Sequence, residues 1–272
     1  MNENLYLSTL AFRSGSRIDE IINFSIKNKI KIEFSSSLPH QENAENLILK
    51  SEINCLTHNY FPAPKTPFVL NLGSLDEGIR KKSVEHCING LSFSKKISSH
   101  FFSAHFGFCY DFNPRELGGT LKFSSESIQK NKNEVAFYDS LKIIVEYAQK
   151  IGVQFLIENN VISKNNYINS TNPLLGCSSD EILKYINHFN TNYFGILLDT
   201  AHLKVSSNTL SFNLDDQIKK MKPYIYAIHH SDNDGLQDTN HSITKEYWFL
   251  KHQRLFRNIT HVLEVKNINI DQ

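Results

Sequence analysis

Short apolar segments alternate with longer amphipathic segments along the whole chain. The short segments are rich in β-branched and aromatic residues, which is typical of buried strands. The longer segments repeat apolar residues at i, i+3 and i+4, most clearly in VAFYDSLKIIVEYAQK at residues 135–150, which predicts helices. We place eight strands within the segments 5–12, 31–36, 54–61, 98–107, 153–160, 192–203, 225–232 and 261–266. We place helices at 17–28, around 41–51, and at 76–97, 128–150, 179–190, 213–221 and 243–257.

This alternation predicts an α/β fold in which the strands pair in parallel through right-handed crossovers. Eight such units predict a (β/α)8 TIM barrel more than an open doubly wound sheet, and 272 residues suit one barrel. No linker or internal repeat divides the chain, so we expect residues 1–272 to form a single TIM-barrel domain. Six residues follow Lys266, and we therefore expect the last helix of the barrel to be missing or truncated.

Composition narrows the classes of partner. Lys and Arg total 29 against 28 for Asp and Glu, and this balance does not favour nucleic acid or an anionic membrane. No apolar segment reaches the length of a membrane span and no secretion signal is evident, so we expect a soluble, cytoplasmic protein. The four cysteines are far apart and lack CxxC spacing, which predicts reduced, partly buried thiols. Formation of a homo-oligomer stays open.

Candidate metal ligands lie at the carboxyl ends of six predicted strands. The six residues are His58, His105, Glu158, Asp199, His229 and Glu264. Just beyond two of these strands lie His202 and the pair Asp238 and His241. A single strand-end His or Asp is more often a cap or a loop anchor, but in a parallel barrel all these ends converge at one mouth. Carboxylate oxygens and imidazole nitrogens suit Zn²⁺, Mn²⁺, Co²⁺ or Mg²⁺, and such a cation would offset the cost of burying the cluster.

Four other polar residues lie at or near these strand ends. Glu33 ends the second predicted strand, and it could line the same mouth or lie on a surface turn. His230 follows His229 directly, so on a strand it faces the opposite side and should pack toward the helices. Lys204 and Lys266 could neutralise a substrate phosphate, although a solvated lysine is the commoner case.

Four segments resemble the metal motifs of the xylose isomerase-like TIM barrel superfamily. They are LIENN (156–160), LLDTAH (197–202), IHHSDNDG (228–235) and HVLEV (261–265). That superfamily includes sugar isomerases, ketose 3-epimerases and abasic-site endonucleases. The resemblance implies a central metal held by Glu158, Asp199, His229 and Glu264. It also implies that His202 contacts the substrate or a second metal ion.

The members of this superfamily that bind several metal ions have further ligands. They carry a histidine in a segment like THNYFP and another in one like HFG, which correspond here to His58 and His105. They also carry an Asp-x-His sequence after the seventh strand. Here Asp238 and His241 are separated by one residue more, which leaves open whether His241 is a ligand.

The resemblance implies two alternative enzymatic functions, and different residues of this chain favour each of them. The first is a metal-dependent isomerase or epimerase of carbohydrate metabolism, acting by proton transfer through a metal-stabilised enediolate. Glu158 and Glu264 would be the catalytic acid and base, and the substrate would contact His202, Asn160 and Lys204. The xylose isomerase branch has a lysine at the position of Asn160, so this chain favours proton transfer over a hydride shift.

The second function is a zinc-dependent phosphodiesterase, similar to an abasic-site endonuclease. His58 and His105 favour it, since a one-metal epimerase does not need them. The loops 111–127 and 161–178 argue against it because they are not basic enough for a nucleic-acid backbone. They suit a lid over a small polar molecule, with Asn165, Asn166, Asn169 and Asn172 as hydrogen-bonding groups. A third alternative is a sugar- or metal-binding barrel without catalytic activity.

Overall fold

The computed structural model describes residues 4–116 and 119–266. Within them, eight parallel strands form one sheet in the order β3-β2-β1-β8-β7-β6-β5-β4. The strands are β1 (Leu5–Ser8), β2 (Lys31–Phe34), β3 (Cys55–Thr57), β4 (Phe101–His105), β5 (Gln154–Glu158), β6 (Phe194–Asp199), β7 (Ile225–His230) and β8 (Thr260–Leu263). A parallel bridge between His58 and Ser103 joins the two edge strands, β3 and β4. The barrel is therefore nearly closed, and the predicted TIM-barrel fold is confirmed.

Seven α-helices lie between the strands of the described part of the chain. They are α1 (Ile18–Asn28), α2 (Ala44–Ser51), α3 (Glu77–Lys96), α4 (Lys130–Ile151), α5 (Ser179–Phe189), α6 (Thr200–Leu210) and α7 (Leu214–Met221). Helix α6 follows β6 without a loop, because the Asp199 side chain accepts a hydrogen bond from the His202 backbone and caps it. The predicted helix at 243–257 is a 3₁₀ helix over Trp248–Phe256. The predicted truncation of the last helix concerns residues 267–272, which lie outside the described residues.

An apolar layer fills the interior of the barrel below its mouth. Its members come from seven strands and are Tyr6, Leu56, Phe101, Leu156, Leu197, Ala227 and Val262. Because side chains alternate along a strand, the residue two positions further on faces the same interior. In five of the seven strands that next position holds a candidate ligand, namely His58, Glu158, Asp199, His229 or Glu264. The strand periodicity thus places a polar layer directly on the apolar one.

The outer faces of the strands pack against the helices in two larger apolar clusters. All four cysteines are unpaired and buried. None of the helices that the structure describes has both the length and the apolar character required to cross a membrane.

Candidate metal centre

Three groups of potential ligands meet at the mouth of the barrel. Within each group the ligand atoms lie within 4.8 Å of one another. The first group is Glu33, His58 and His229; the second is His58, His105 and Glu158; the third is Glu158, Asp199, His229 and Glu264. Because the groups share residues, they form one continuous cluster of carboxylates and imidazoles. The predicted convergence of His58, His105, Glu158, Asp199, His229 and Glu264 is what the structure shows.

Glu158 lies at the centre of this cluster and is fully buried. Its Oε2 atom is 3.2 Å from Nε2 of His58 and 3.5 Å from Nε2 of His105. Its Oε1 atom is 3.4 Å from Nδ1 of His229. The two oxygens of one carboxylate therefore face two different groups of ligands, an arrangement in which Glu158 could bridge two cations.

The imidazole of His229 is held between two carboxylates. Its Nε2 atom is 3.1 Å from Oε2 of Glu33, and its Nδ1 atom is 3.0 Å from Oε2 of Glu264. Glu33 is completely buried, so the surface-turn interpretation of this residue does not apply. By fixing one nitrogen of the ring, a carboxylate such as Glu33 orients the other toward a metal ion.

His202 and Asp199 are positioned by the start of helix α6. The Oδ1 atom of Asp199 accepts a hydrogen bond of 2.7 Å from the His202 backbone. The Nδ1–H group of His202 donates to the backbone carbonyl of Asn159 at 2.8 Å, which leaves Nε2 facing Asp238 Oδ2 at 3.2 Å. The Asn159 side chain also bonds both backbone groups of Asp199, at 2.8 and 3.0 Å. The ends of β5 and β6 are thus locked together below the cluster.

The charges of the cluster depend strongly on one another. Burial opposes ionisation of Glu158, but the imidazoles of His105, His58 and His229 outweigh it and hold the pKa of Glu158 well below its usual value. Burial raises the pKa of Asp199 to about 7, although His202 partly opposes the shift. Burial alone would lower the pKa of His229, but Glu33, Glu264 and Glu158 raise it well above the usual value. The side chains therefore compensate one another's charge only in part.

Several buried atoms of the cluster have no hydrogen-bond partner. They are both carboxylate oxygens of Glu158, Oδ2 of Asp199, Nδ1 of His229 and Oδ1 of Asp238. The short distances given above join the two Glu158 oxygens and His229 Nδ1 to neighbouring titratable side chains without the geometry of a hydrogen bond. Unpaired buried atoms of this kind are costly, and a divalent cation with oxygen and nitrogen ligands removes that cost. The residues present therefore fit a metal ion.

Three predicted site residues have other contacts in the structure. His241 is exposed and pairs through its backbone with Asp232, and no group of ligands among the described residues includes its side chain. The amide of Asn160 donates to three backbone carbonyls, the shortest bond being 2.8 Å to Leu175, so it holds loops together. Lys204 donates to the carboxylate of Asp232 at 2.7 Å and to a nearby carbonyl. These contacts engage the side chains of Asn160 and Lys204 within the protein and do not by themselves support substrate binding by either residue.

Comparison with known proteins identifies relatives of this chain. A family model described as the xylose isomerase-like TIM barrel matches residues 32–262. A protein named "Probable endonuclease 4" of Aquifex aeolicus (strain VF5) is 26% identical over 192 residues. That match covers 66% of this chain and 60% of the relative, so the chain spans less than two thirds of the curated relative that it matches.

Two solved structures are similar over nearly the whole chain. A D-tagatose 3-epimerase-like protein has a TM-score of 0.72 and 16% identity, covering 98% of this chain and 92% of its own. The TTHB071 protein from Thermus thermophilus, soaked with ZnCl2, has a TM-score of 0.65 and 16% identity, covering 97% and 92%. At such identities, the two structures show a common fold.

Proposed function

This chain belongs to the xylose isomerase-like TIM barrel family, and we propose that it is a metal-dependent isomerase or epimerase of a sugar or sugar derivative. The observation that carries the proposal is the convergence of two glutamates on one potential metal site. Glu158 at the end of β5 and Glu264 just after β8 approach the same nitrogen of His229, at 3.4 and 3.0 Å. A metal-bound sugar between them would have a carboxylate within reach on either side.

The residues of the site have separate tasks in this proposal. Glu158, Asp199, His229 and Glu264 would hold a divalent cation, which would stabilise negative charge on the oxygens of an enolising sugar. The side chain of Glu264 keeps 14% of its surface exposed, whereas Glu158 keeps none. Glu264 is therefore better placed to exchange a proton with the substrate and with solvent. His202 and Asp238, which line the cavity above, would orient the sugar hydroxyls.

A second candidate function is hydrolysis of a phosphodiester at a centre with two or three metal ions. It is favoured by the position of the Oε2 atom of Glu158 beside His58 and His105, and by the contact between His202 and Asp238. If cations fill both groups, both oxygens of Glu158 are ligands and neither can accept a proton. The number of ions bound therefore decides whether Glu158 can act as a base.

Elemental analysis combined with two activity assays tests the proposal. We expect one firmly bound ion per chain, and incorporation of solvent deuterium next to the carbonyl of a ketose. Glu158→Gln should abolish this exchange, whereas Glu146→Gln, the same change on the exposed face of α4, should not. Two or three ions per chain, with cleavage of an abasic DNA duplex and no deuterium exchange, would establish the hydrolase instead.

A further inference from the structure

A cavity of about 530 Å³ lies at the mouth of the barrel, and His105, His202 and Asp238 form part of its wall. Its volume is within the range of roughly 300–1,000 Å³ that is typical of small-molecule sites. The rest of the wall comes from the loops that follow β2, β3, β4, β5 and β7. The side chains of these loops therefore determine which part of a substrate can lie beside the metal centre.

Part of the cavity wall is apolar. Its main apolar residues are Tyr60, Phe68, Phe108, Leu121 and Leu174. The Phe68 backbone N–H donates to the Tyr60 hydroxyl at 2.5 Å, and the two ring centroids are 5.6 Å apart. Phe108 packs edge-on against Phe112 at 5.7 Å. These contacts hold the rings in place, so the apolar wall is preformed for a flat or aliphatic group.

Other residues of the wall offer neutral polar groups, namely Thr120, Ser163, Asn165 and Gln237. Asn166, which also lines the cavity, connects two loops by accepting from the Leu121 backbone at 2.9 Å and donating to the Gly119 carbonyl at 3.0 Å. Hydroxyl and amide groups of this kind hydrogen-bond sugar hydroxyls without adding charge.

No Lys or Arg is present among the described residues of the cavity wall to receive a phosphate. The basic groups of the wall are the imidazoles of His105 and His202, which lie beside Glu158. Lys204 is bound to Asp232, and Lys82 lies 5.8 Å from the centroid of the Phe68 ring without lining the cavity. Helix α6 begins beside the cavity, but Asp199 caps its first turn. A phosphate placed among these loops would have no Lys or Arg partner, and it would lie close to the carboxylate of Asp238, which the imidazole of His202 already contacts at 3.2 Å.

We propose that the substrate is an uncharged saccharide with an apolar substituent, and that sugar phosphates and nucleotide-linked sugars are excluded. The sugar hydroxyls lie against the metal centre and the neutral polar groups of the wall, while the substituent packs against Tyr60, Phe68 and Phe108. This inference rests on the proposed function, because it names the substrate class of the same site.

Calorimetric titration of the zinc-loaded full chain tests the substrate class with four probes. They are D-glucose, D-glucose 6-phosphate, phenyl β-D-glucopyranoside and inorganic phosphate, which reveals any direct binding of phosphate to the metal. We expect the phenyl glucoside to bind about tenfold more tightly than glucose, in line with the burial of one ring, and the sugar phosphate to bind no better than glucose. Tighter binding of the sugar phosphate than of the two neutral sugars overturns the inference, as does the absence of binding by both neutral sugars.

Two variants in the cavity wall and one control variant outside it make the test specific to the cavity. Thr120→Lys adds a cation to the wall and should raise the affinity for glucose 6-phosphate about tenfold, whereas Ser124→Lys, on the same loop outside the cavity, should leave it unchanged. Phe68→Leu should remove most of the preference for the phenyl glucoside. An equal change in the affinity for glucose 6-phosphate in Thr120→Lys and Ser124→Lys contradicts the assignment of the wall.

Deuterium exchange separates failure of this inference from failure of the proposed function. Selective binding of the neutral glucoside, without exchange on any ketose of a neutral panel, would support the substrate class and refute the isomerase. Exchange on a ketose phosphate but not on neutral ketoses would support the isomerase and refute the substrate class.

Discussion

Two histidine clusters lie on opposite faces of strand β7, and they differ in how their hydrogen bonds are satisfied. His229 faces the interior, where its Nδ1 atom has no hydrogen-bond partner among carboxylates at 3.0 and 3.4 Å. His230 faces the helices, as predicted, and its Nδ1 atom accepts from the Tyr247 hydroxyl at 3.0 Å. Its Nε2–H group donates to His261 Nδ1 at 2.8 Å, and His261 Nε2–H donates to the Phe256 carbonyl at 2.9 Å.

The comparison separates a structural cluster from a candidate binding site. Every ring nitrogen in the outer cluster has a partner, and both rings are neutral. Burial lowers the pKa of His230 to about 3, because no carboxylate compensates for the charged form. The inner cluster combines four histidines with five carboxylates and leaves buried atoms unpaired. A buried histidine therefore indicates function only when its surroundings are incomplete without a further group.

Of the changes that distinguish the inner from the outer cluster, removal of the central carboxylate of Glu158 should have the largest effect. We expect Glu158→Gln to reduce turnover by about 10³-fold or more, because the substitution removes a proposed acid–base group and a proposed metal ligand at once. The fold should stay intact, because Glu158 makes no hydrogen bond through its side chain in the structure. Steady-state kinetics and circular dichroism check both points, and full activity of the variant would refute the role of Glu158.

Metal removal should affect the inner cluster alone. A metal ion whose free concentration is about 1,000 times its Kd adds about 4 kcal/mol to the free energy of unfolding. We therefore expect chelator treatment to lower the Tm of the protein by several degrees, and zinc to restore it. Calorimetry of the treated and reloaded protein measures the change. A Tm that is equal with and without metal would contradict the proposed site.

Glu33→Gln should weaken metal binding, although Glu33 is not one of the four proposed ligands Glu158, Asp199, His229 and Glu264. Loss of a carboxylate that orients a metal-binding histidine costs about 10- to 100-fold in affinity. Competition with a zinc chelator gives the affinity of the variant, and Glu20→Gln, in the first turn of α1, is the matched control. Unchanged affinity in Glu33→Gln would show that the His229 ring needs no such support.

His230→Phe should reduce stability but leave the metal content unchanged. The substitution leaves polar groups of His261 and Tyr247 without a hydrogen-bond partner, which should lower the free energy of unfolding by about 1–3 kcal/mol near neutral pH. Since the pKa of His230 is about 3 in the fold and near 6.5 when unfolded, its contribution is complete above pH 6.5 and is lost as the pH falls toward 3.

The stability difference between this variant and the wild type should therefore narrow by about 1 kcal/mol between pH 6.5 and pH 5.5. Denaturant unfolding of both proteins at the two pH values measures it. A difference that widens at the lower pH would show that His230 is protonated in the fold.

The sequence predicted the positions of the candidate ligands, which follow from strand periodicity and parallel topology. His58, Glu158, Asp199, His229 and Glu264 stand one alternation beyond the apolar layer, and this spacing is visible in the residues themselves. The position of Glu33 was left open, and its contact with His229 joins residues 196 positions apart in the chain. A stricter count of the alternation in KIEF, where Ile32 and Phe34 face the helices, would have placed Glu33 inside.

The loops were less predictable than the strands. Helix α6 was missed because its first turn, Thr200 to His202, follows the strand without a break and shares its apolar pattern. Asn160 and Asn166, which were expected to meet the substrate, line the cavity, and both also connect loops in a way the sequence did not indicate. Such contacts between distant loops, like the one that joins Asn166 to Leu121 across 45 residues, have no local signal in the sequence.

Diffraction from zinc-soaked crystals, recorded at the zinc absorption edge, tests the central claim most directly. The account predicts an anomalous peak about 2.0–2.3 Å from ligand atoms of Glu158, Asp199, His229 and Glu264. A second peak between His58, His105 and Glu158 would favour the hydrolase over the isomerase. Crystals at saturating zinc that show no peak within this cluster would contradict the account.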